Sequence, residues 1–309
     1  MSLQLILGGS GSGKTTYLYD AVIQASIKNP RQQYYVLVPE QFTMQAQKDV
    51  VARHPAHGTM NIDVVSFQRL AYRIFEELAV ENLQILDDMG KSMVLRKVAA
   101  EKSRQLVLFR GHLNQAGFVS QLKSMLSEFY QYGIGPEQLR EMAAAAKTPL
   151  LKQKLEDFAL VFEGFRQFIA GHYVTTEEVL EVLCRILPQS QLIKDSVIAL
   201  DGYTGFTPVQ YRLAELFMAY AKQVIVTVTA DPEVDLYGSM GMQNLFFMSR
   251  QMAVRLSKLA EKNQVKKLPD RWVTRGKGFA VPEELDFLEK NLLRYGRSPY
   301  KGEQTGALE

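Results

Sequence analysis

The sequence predicts an α/β fold built on a parallel sheet, and a few observations carry that prediction. Short aliphatic runs end on glycine, proline or aspartate, and each is followed by a helical pattern. A glycine-rich loop separates the first run from the first helix, and a long central block holds no β-branched run. Strands alternating with helices call for right-handed crossovers that lay helices over a parallel sheet. The chain has 309 residues, 47% of them hydrophobic and 22% charged. That composition is ordinary for a globular protein, and the length suggests two domains, or one carrying an insertion.

The first strand is predicted at Leu3-Gln4-Leu5-Ile6-Leu7, stopping at Gly8-Gly9, with a helix opening near Lys14. The short aliphatic run is what a strand buried on both faces requires. Tyr34 to Val38 before Pro39, and Ile62 to Val65 before Ser66, are the next strands. From about Leu83 to Leu187 the apolar residues recur at helical spacing instead. Phe118, Leu122, Met125, Leu126 and Phe129 form one stripe, and Leu151, Leu155, Phe158, Phe162, Phe165 and Ile169 another. Gly133 to Pro136 and Gly171 interrupt this block. Strands return at Ser196 to Leu200, ending on Asp201, and at Gln223 to Thr229, ending on Ala230-Asp231. Between them Thr207-Pro208 reads as an N-cap followed by proline at the first helical position. A further helix is expected from after Gln243 to about Asn263, and Lys266 to Pro282, polar and aperiodic, reads as an exposed loop or linker.

Gly8-Gly9-Ser10-Gly11-Ser12-Gly13-Lys14-Thr15 fits the phosphate-loop pattern in the context that gives it meaning, between a strand and a helix. Glycines let successive backbone N–H groups point into one concavity, where the helix N-terminus adds partial positive charge, so a triphosphate such as ATP is held largely by backbone. Lys14 is expected to reach the β- and γ-phosphates, and Thr15 to place its hydroxyl on Mg²⁺. Asp201, ending a later strand, is the expected second Mg²⁺-side group. Gly202 follows it, where a hydrolytic helicase would carry glutamate, so slow turnover is expected.

Composition excludes several classes. The single cysteine, Cys184, has no partner for a disulfide and cannot by itself ligate zinc or an iron–sulfur cluster. His54, His57, His112 and His172 are scattered, and no metal besides Mg²⁺ is expected. Met240, Met242 and Met248 read as core or interface filler. No apolar run or basic leader marks a membrane span or signal peptide, so a cytoplasmic protein without membrane contact is expected. The net charge of +3 neither announces nor excludes a nucleic-acid partner.

These pieces together resemble a known family, the AddB (or RexB) subunit of the bacterial AddAB helicase–nuclease, in its N-terminal helicase-like region. The resemblance rests on Leu5 to Thr15, Leu37-Val38-Pro39-Glu40-Gln41-Phe42-Thr43, Val64 to Ala71 and, most distinctively, Leu200 to Gln210. Beside superfamily-one helicases of the UvrD type, the same stretches resemble degenerate helicase motifs in order. By that resemblance Gln210 and Asp231 join the ATP site, while Phe42, Ser66, Phe67, Arg69 and Tyr237 are candidate DNA contacts. The γ-phosphate-sensing glutamine is replaced by Val234.

The resemblance implies a RecA-like P-loop NTPase fold, the first motor domain of a superfamily-one helicase-like chain. Residues 1–82 and 191–263 would form that discontinuous domain, 83–190 a largely helical insertion, and 264–309 a linker and terminal helical segment leading to an absent second motor domain. It implies an AddA-like partner subunit, single- and double-stranded DNA, and a role in double-strand break repair by homologous recombination. The family's nuclease domain and its iron–sulfur cluster would lie in an absent C-terminal region. On the residues alone, a P-loop small-molecule kinase and a structural subunit with a vestigial nucleotide site remain as alternatives. Lys266, Lys267 and the run Arg271 to Lys277 could meet phosphates or simply be solvated.

Overall fold

A computed structural model describes residues 1–80, 84–112, 115–170, 173–175, 177–239, 241–274, 282–292, 299–302 and 306. The chain opens with β1 (Ser2–Gly8), α1 (Lys14–Lys28), β2 (Tyr34–Leu37), α2 (Thr43–Arg53), β3 (Ile62–Val65) and α3 (Phe67–Glu77). A helical stretch follows: β4 (Ile85–Leu86), α4 (Asp88–Glu101), α5 (Ala116–Tyr132), α6 (Pro136–Ala144), α7 (Pro149–Ile169), β5 (Val174–Thr175) and α8 (Glu178–Ile186). Then come β6 (Val197–Leu200), α9 (Pro208–Tyr220), β7 (Gln223–Thr229), α10 (Phe247–Lys262), β8 (Lys266–Lys267), β9 (Arg271–Trp272) and α11 (Glu283–Asn291).

The main sheet is seven-stranded in the order β3-β2-β6-β7-β1-β8, with β9 also pairing β1. Every pairing in it is parallel, as the buried aliphatic runs require. Side-chain alternation splits each strand between two faces. Leu3, Leu5 and Leu7, with Tyr35, Leu37, Ile198 and Leu200, face the layer of α3, α8, α9 and α10. Ile6, Tyr34, Val36, Val38, Val197 and Ala199 face α1 and α2 through Leu18, Val22 and Val50. Both faces are therefore covered, and the loops at the strands' carboxyl ends gather along one edge, where open α/β sheets bind ligands.

The helical stretch carries its own core. Leu95, Val98, Leu122, Leu126, Phe162 and Phe165 pack together, with Phe129 edge-on to Phe158. Asp157, 1% exposed, accepts the backbone N–H groups of Val107, Leu108 and Phe109 and so fixes the turn between α4 and α5. Lys91 of α4 is equally buried and donates to both carboxylate oxygens of Glu177, at 2.9 and 2.7 Å, just ahead of α8.

Several details depart from the sequence reading. The stretch from Lys266, expected to be an exposed loop, supplies β8 and β9, which cover the outer edge of β1. Strands of two residues show no periodicity, and edge position leaves their side chains exposed, so the pattern resembles a loop. The rest of the basic run, from residue 275 onward, lies outside the described residues, as do Gly171, His172 and Met240. α8 lies within the block expected to be insertion, yet Val179 and Leu183 belong to the core of the main sheet. Ile85–Leu86 and Val174–Thr175 pair as a parallel two-stranded ribbon within a region expected to be largely helical. Met242 and Met248, read as core or interface filler, are exposed, which removes the core half of that reading. Among the described residues no helix is long and apolar enough to cross a membrane.

Candidate functional site

The glycine-rich loop leaves β1, which lies beside the β8/β9 edge of the sheet, and enters α1 directly. Gly11 and Gly13 take positive φ, 65° and 93°, a backbone region that favours glycine. Gly13 is the N-cap of α1 without a capping side chain, so the first turn's N–H groups face the loop's concavity. Lys14 lies back over the loop, its Nζ donating to the carbonyls of Gly8 (3.0 Å) and Gly9 (2.6 Å). Burial lowers its pKa, and the Asp201 carboxylate opposes that shift. The hydroxyl of Ser12, 8% exposed, has no hydrogen-bond partner among the described residues. An unpaired buried hydroxyl in a glycine-rich cradle fits a site shaped for an acceptor-rich group such as a phosphate.

Asp201 ends β6, two strands from β1, and is 5% exposed. It accepts a 2.6 Å hydrogen bond from the Thr227 hydroxyl, and the backbone N–H of Gly202 donates to that same hydroxyl at 3.4 Å. Tyr19 of α1 lies near this carboxylate; burial first, then the charge of Asp201, raises its phenol pKa. Thr227 is a positioning group that the sequence reading missed. The available signal was a threonine breaking the valines of β7, since a polar side chain on a buried strand must find a partner. Gly202, at φ 78°, turns the chain away immediately after Asp201. Any other residue there, glutamate included, would sit in a strained left-handed conformation. Asp231, at the end of β7, is nearly buried, accepts the N–H of Glu233 at 3.0 Å, and lines a cavity of about 370 Å³ with Gly8, Gly9, Ser10 and Ser12. The structure thus gathers the loop, Asp201 and Asp231 at one end of the sheet.

Gln210 does not join them. Its side chain reaches back to the Thr207 N–H (2.9 Å) while Thr207 caps the Gln210 N–H (3.4 Å), a reciprocal cap that starts α9. Gln210 lines a different cavity, about 380 Å³, with Pro39, Glu40, Ser66, Phe67 and Tyr203 at the ends of β2, β3 and β6.

The candidate DNA contacts divide in the same way. Phe67 is 4% exposed, stacked on Phe217 and edge-on to Tyr203 and Phe206, so it is a core ring with little face to offer a base. Ser66 is buried too, its hydroxyl accepting the Arg69 N–H as the cap of α3. Phe42 is about half exposed beside Glu40, which pairs with Arg69 at 3.2 Å. Tyr237 stands across the sheet from these, its hydroxyl donating to Asp270 (2.7 Å) with Lys267 over its ring. Buried Arg250 holds that loop through the carbonyls of Asp235, Leu236 and Gly238.

Comparison with known proteins decides the lineage. The family described as "ADDB, N-terminal" matches residues 5–289. The chain belongs to this family. It is 43% identical, over 97% of its length, to the B-type subunit of the ATP-dependent helicase/deoxyribonuclease from Lachnoclostridium phytofermentans, and covers 26% of that protein. The proteins of the same name from Caldanaerobacter subterraneus and Geobacillus thermodenitrificans are 32% and 33% identical, over 98% and 86% of the chain. The chain thus spans about a quarter of the length of the AddB-family relatives it matches.

Proposed function

We propose that this chain is the ATP-binding, single-stranded-DNA-handling part of a helicase–nuclease subunit acting with an AddA-like partner in recombinational repair of double-strand breaks. The observation that supports the reading is the glycine-rich loop with Lys14 lying over it and the buried Asp201 charge close enough to act on Lys14, both at the carboxyl end of a parallel sheet. In the RecA-like reading, residues 1–82 with 191–263 form the nucleotide domain, 83–190 an insertion and 264–309 a connector. Packing of α8 in the main core, and of β8 and β9 on β1, favours extending the nucleotide domain to both.

Mg²⁺-ATP would be held by the loop backbone from Gly8 to Gly13, with Lys14 turning from its loop carbonyls to the phosphates and Thr15 and Asp201 on the metal side. Bound there, the metal supplies charge neutralisation for the triphosphate. Thr227 fixes the Asp201 carboxylate by donating to it. Gly202 provides no acid or base to orient water, so the nucleotide acts as a conformational ligand rather than as fuel. Phe42 and Arg69 would meet DNA at the ends of β2 and β3, and Tyr237 on the far side of the loop. This reading assigns nuclease chemistry and the iron–sulfur cluster to the part of the relatives that the chain does not cover.

Calorimetric titration with Mg-ATP, repeated with Lys14→Ala and with single-stranded DNA present, tests the proposal. Binding lost in the variant, without turnover and shifted by DNA, is expected. Absence of binding at millimolar Mg-ATP would overturn it.

A further inference from the structure

Trp272, the chain's single tryptophan, is 37% exposed on the edge strand β9. Its backbone is pinned beside the glycine-rich loop, since Trp272 pairs with Leu7 and the Val273 N–H donates to the Leu7 carbonyl at 2.7 Å. A Cβ on Gly8 would run into both Ser12 Oγ and the Val273 carbonyl, so loop and edge strand are in close contact. Trp272 lines the same cavity, about 370 Å³, as Gly8, Gly9, Ser10 and Ser12, with Asp231, Glu233, Asp286 and Glu289 also on its wall. That volume lies in the range of sites that hold a small ligand.

One cavity thus brings the first half of the glycine-rich loop, with the unpaired Ser12 hydroxyl, together with an aromatic residue on its edge-strand side. A nucleotide has the matching two ends, an acceptor-rich phosphate chain and a flat base with a π-face. We propose that Trp272 is the nucleobase platform of this site, stacking the base while the loop holds the phosphates. The inference rests on the nucleotide reading above and adds the base-binding half of the site. Stacking tolerates any base, so the platform gives affinity without strong preference between purine nucleotides.

Calorimetry on the full chain separates the two halves, using Mg-ATP, Mg-GTP and inorganic tripolyphosphate as probes. Trp272→Ala is expected to weaken both nucleotides about tenfold and to leave tripolyphosphate unchanged, while Trp272→Phe restores most of the affinity. In the wild-type chain, ATP should quench tryptophan fluorescence and tripolyphosphate should not. Equal losses for nucleotide and tripolyphosphate, or no loss for either, would overturn the platform while leaving the phosphate loop standing. If neither probe binds the wild-type chain, or Lys14→Ala binds both normally, the nucleotide reading itself fails and the platform with it.

Discussion

Replacing Lys91 by methionine removes the buried contact that ties the helical cluster to the foot of α8, together with a 3.6 Å pairing to the exposed Asp88. The Lys91 side chain is 2% exposed and the Glu177 side chain 13%, and the ammonium donates to both carboxylate oxygens at 2.9 and 2.7 Å. An exposed pair contributes under about 1 kcal/mol. For a buried pair, removing one partner strands the other charge in a poorly solvated site, at about 3 to 5 kcal/mol. The low end applies here, since Glu177 keeps a little solvent. With a urea slope of about 3 kcal/mol per M, Lys91→Met should lower the midpoint by about 1 M in far-UV circular dichroism. Lys91→Met with Glu177→Met should recover most of that loss, because no charge is left unpaired. A single variant that loses less than about 1 kcal/mol, or a double variant as unstable as the single, would refute the reasoning.

The same pair sets an acid limb. Burial raises the Glu177 pKa, but the bonds from Lys91 and Ser127 outweigh it and hold the carboxyl below its usual 4.5. The folded value is the lower one, so this stability is full above about pH 4.5 and is lost as pH falls through the folded pKa. Glu177→Gln should flatten stability against pH in that window, measured by urea midpoints from pH 3 to 6. Gly8→Ala, whose Cβ meets Ser12 Oγ and the Val273 carbonyl, should reduce Mg-ATP affinity by more than about tenfold in calorimetry, since the cradle must open to admit it. Phe42→Ala should leave thermal stability within about 0.5 kcal/mol and weaken single-stranded DNA binding about fivefold by anisotropy. Phe67→Ala should instead cost about 3 to 5 kcal/mol of stability in denaturant titrations, as expected for a buried ring.

Local signals in the sequence determined the α/β class and the glycine-rich loop at the centre of the candidate site. Strands bounded by Gly8, Pro39 and Asp201, the cap at Thr207-Pro208, and the loop from Gly8 to Thr15 all act within a few residues, so they can be read in linear order. The parallel order of the sheet followed from aliphatic runs alternating with helices, because both faces of each strand must be covered. Only the tertiary structure decided what depends on neighbours distant in the chain. Thr227 reaches Asp201 across 26 positions, and Lys91 reaches Glu177 across 86. Gln210, placed at the ATP site by motif order, turns back to cap its own helix and faces another cavity. Phe42 and Phe67 look alike as aromatics after a strand, yet one is exposed and the other enclosed by rings from α9 and the loop before it. The two-residue strands β8 and β9 carry no pattern of their own, because they exist only where the open edge of β1 offers partners. Period and motif record which groups a residue resembles, while burial and partnership are properties of the packed molecule.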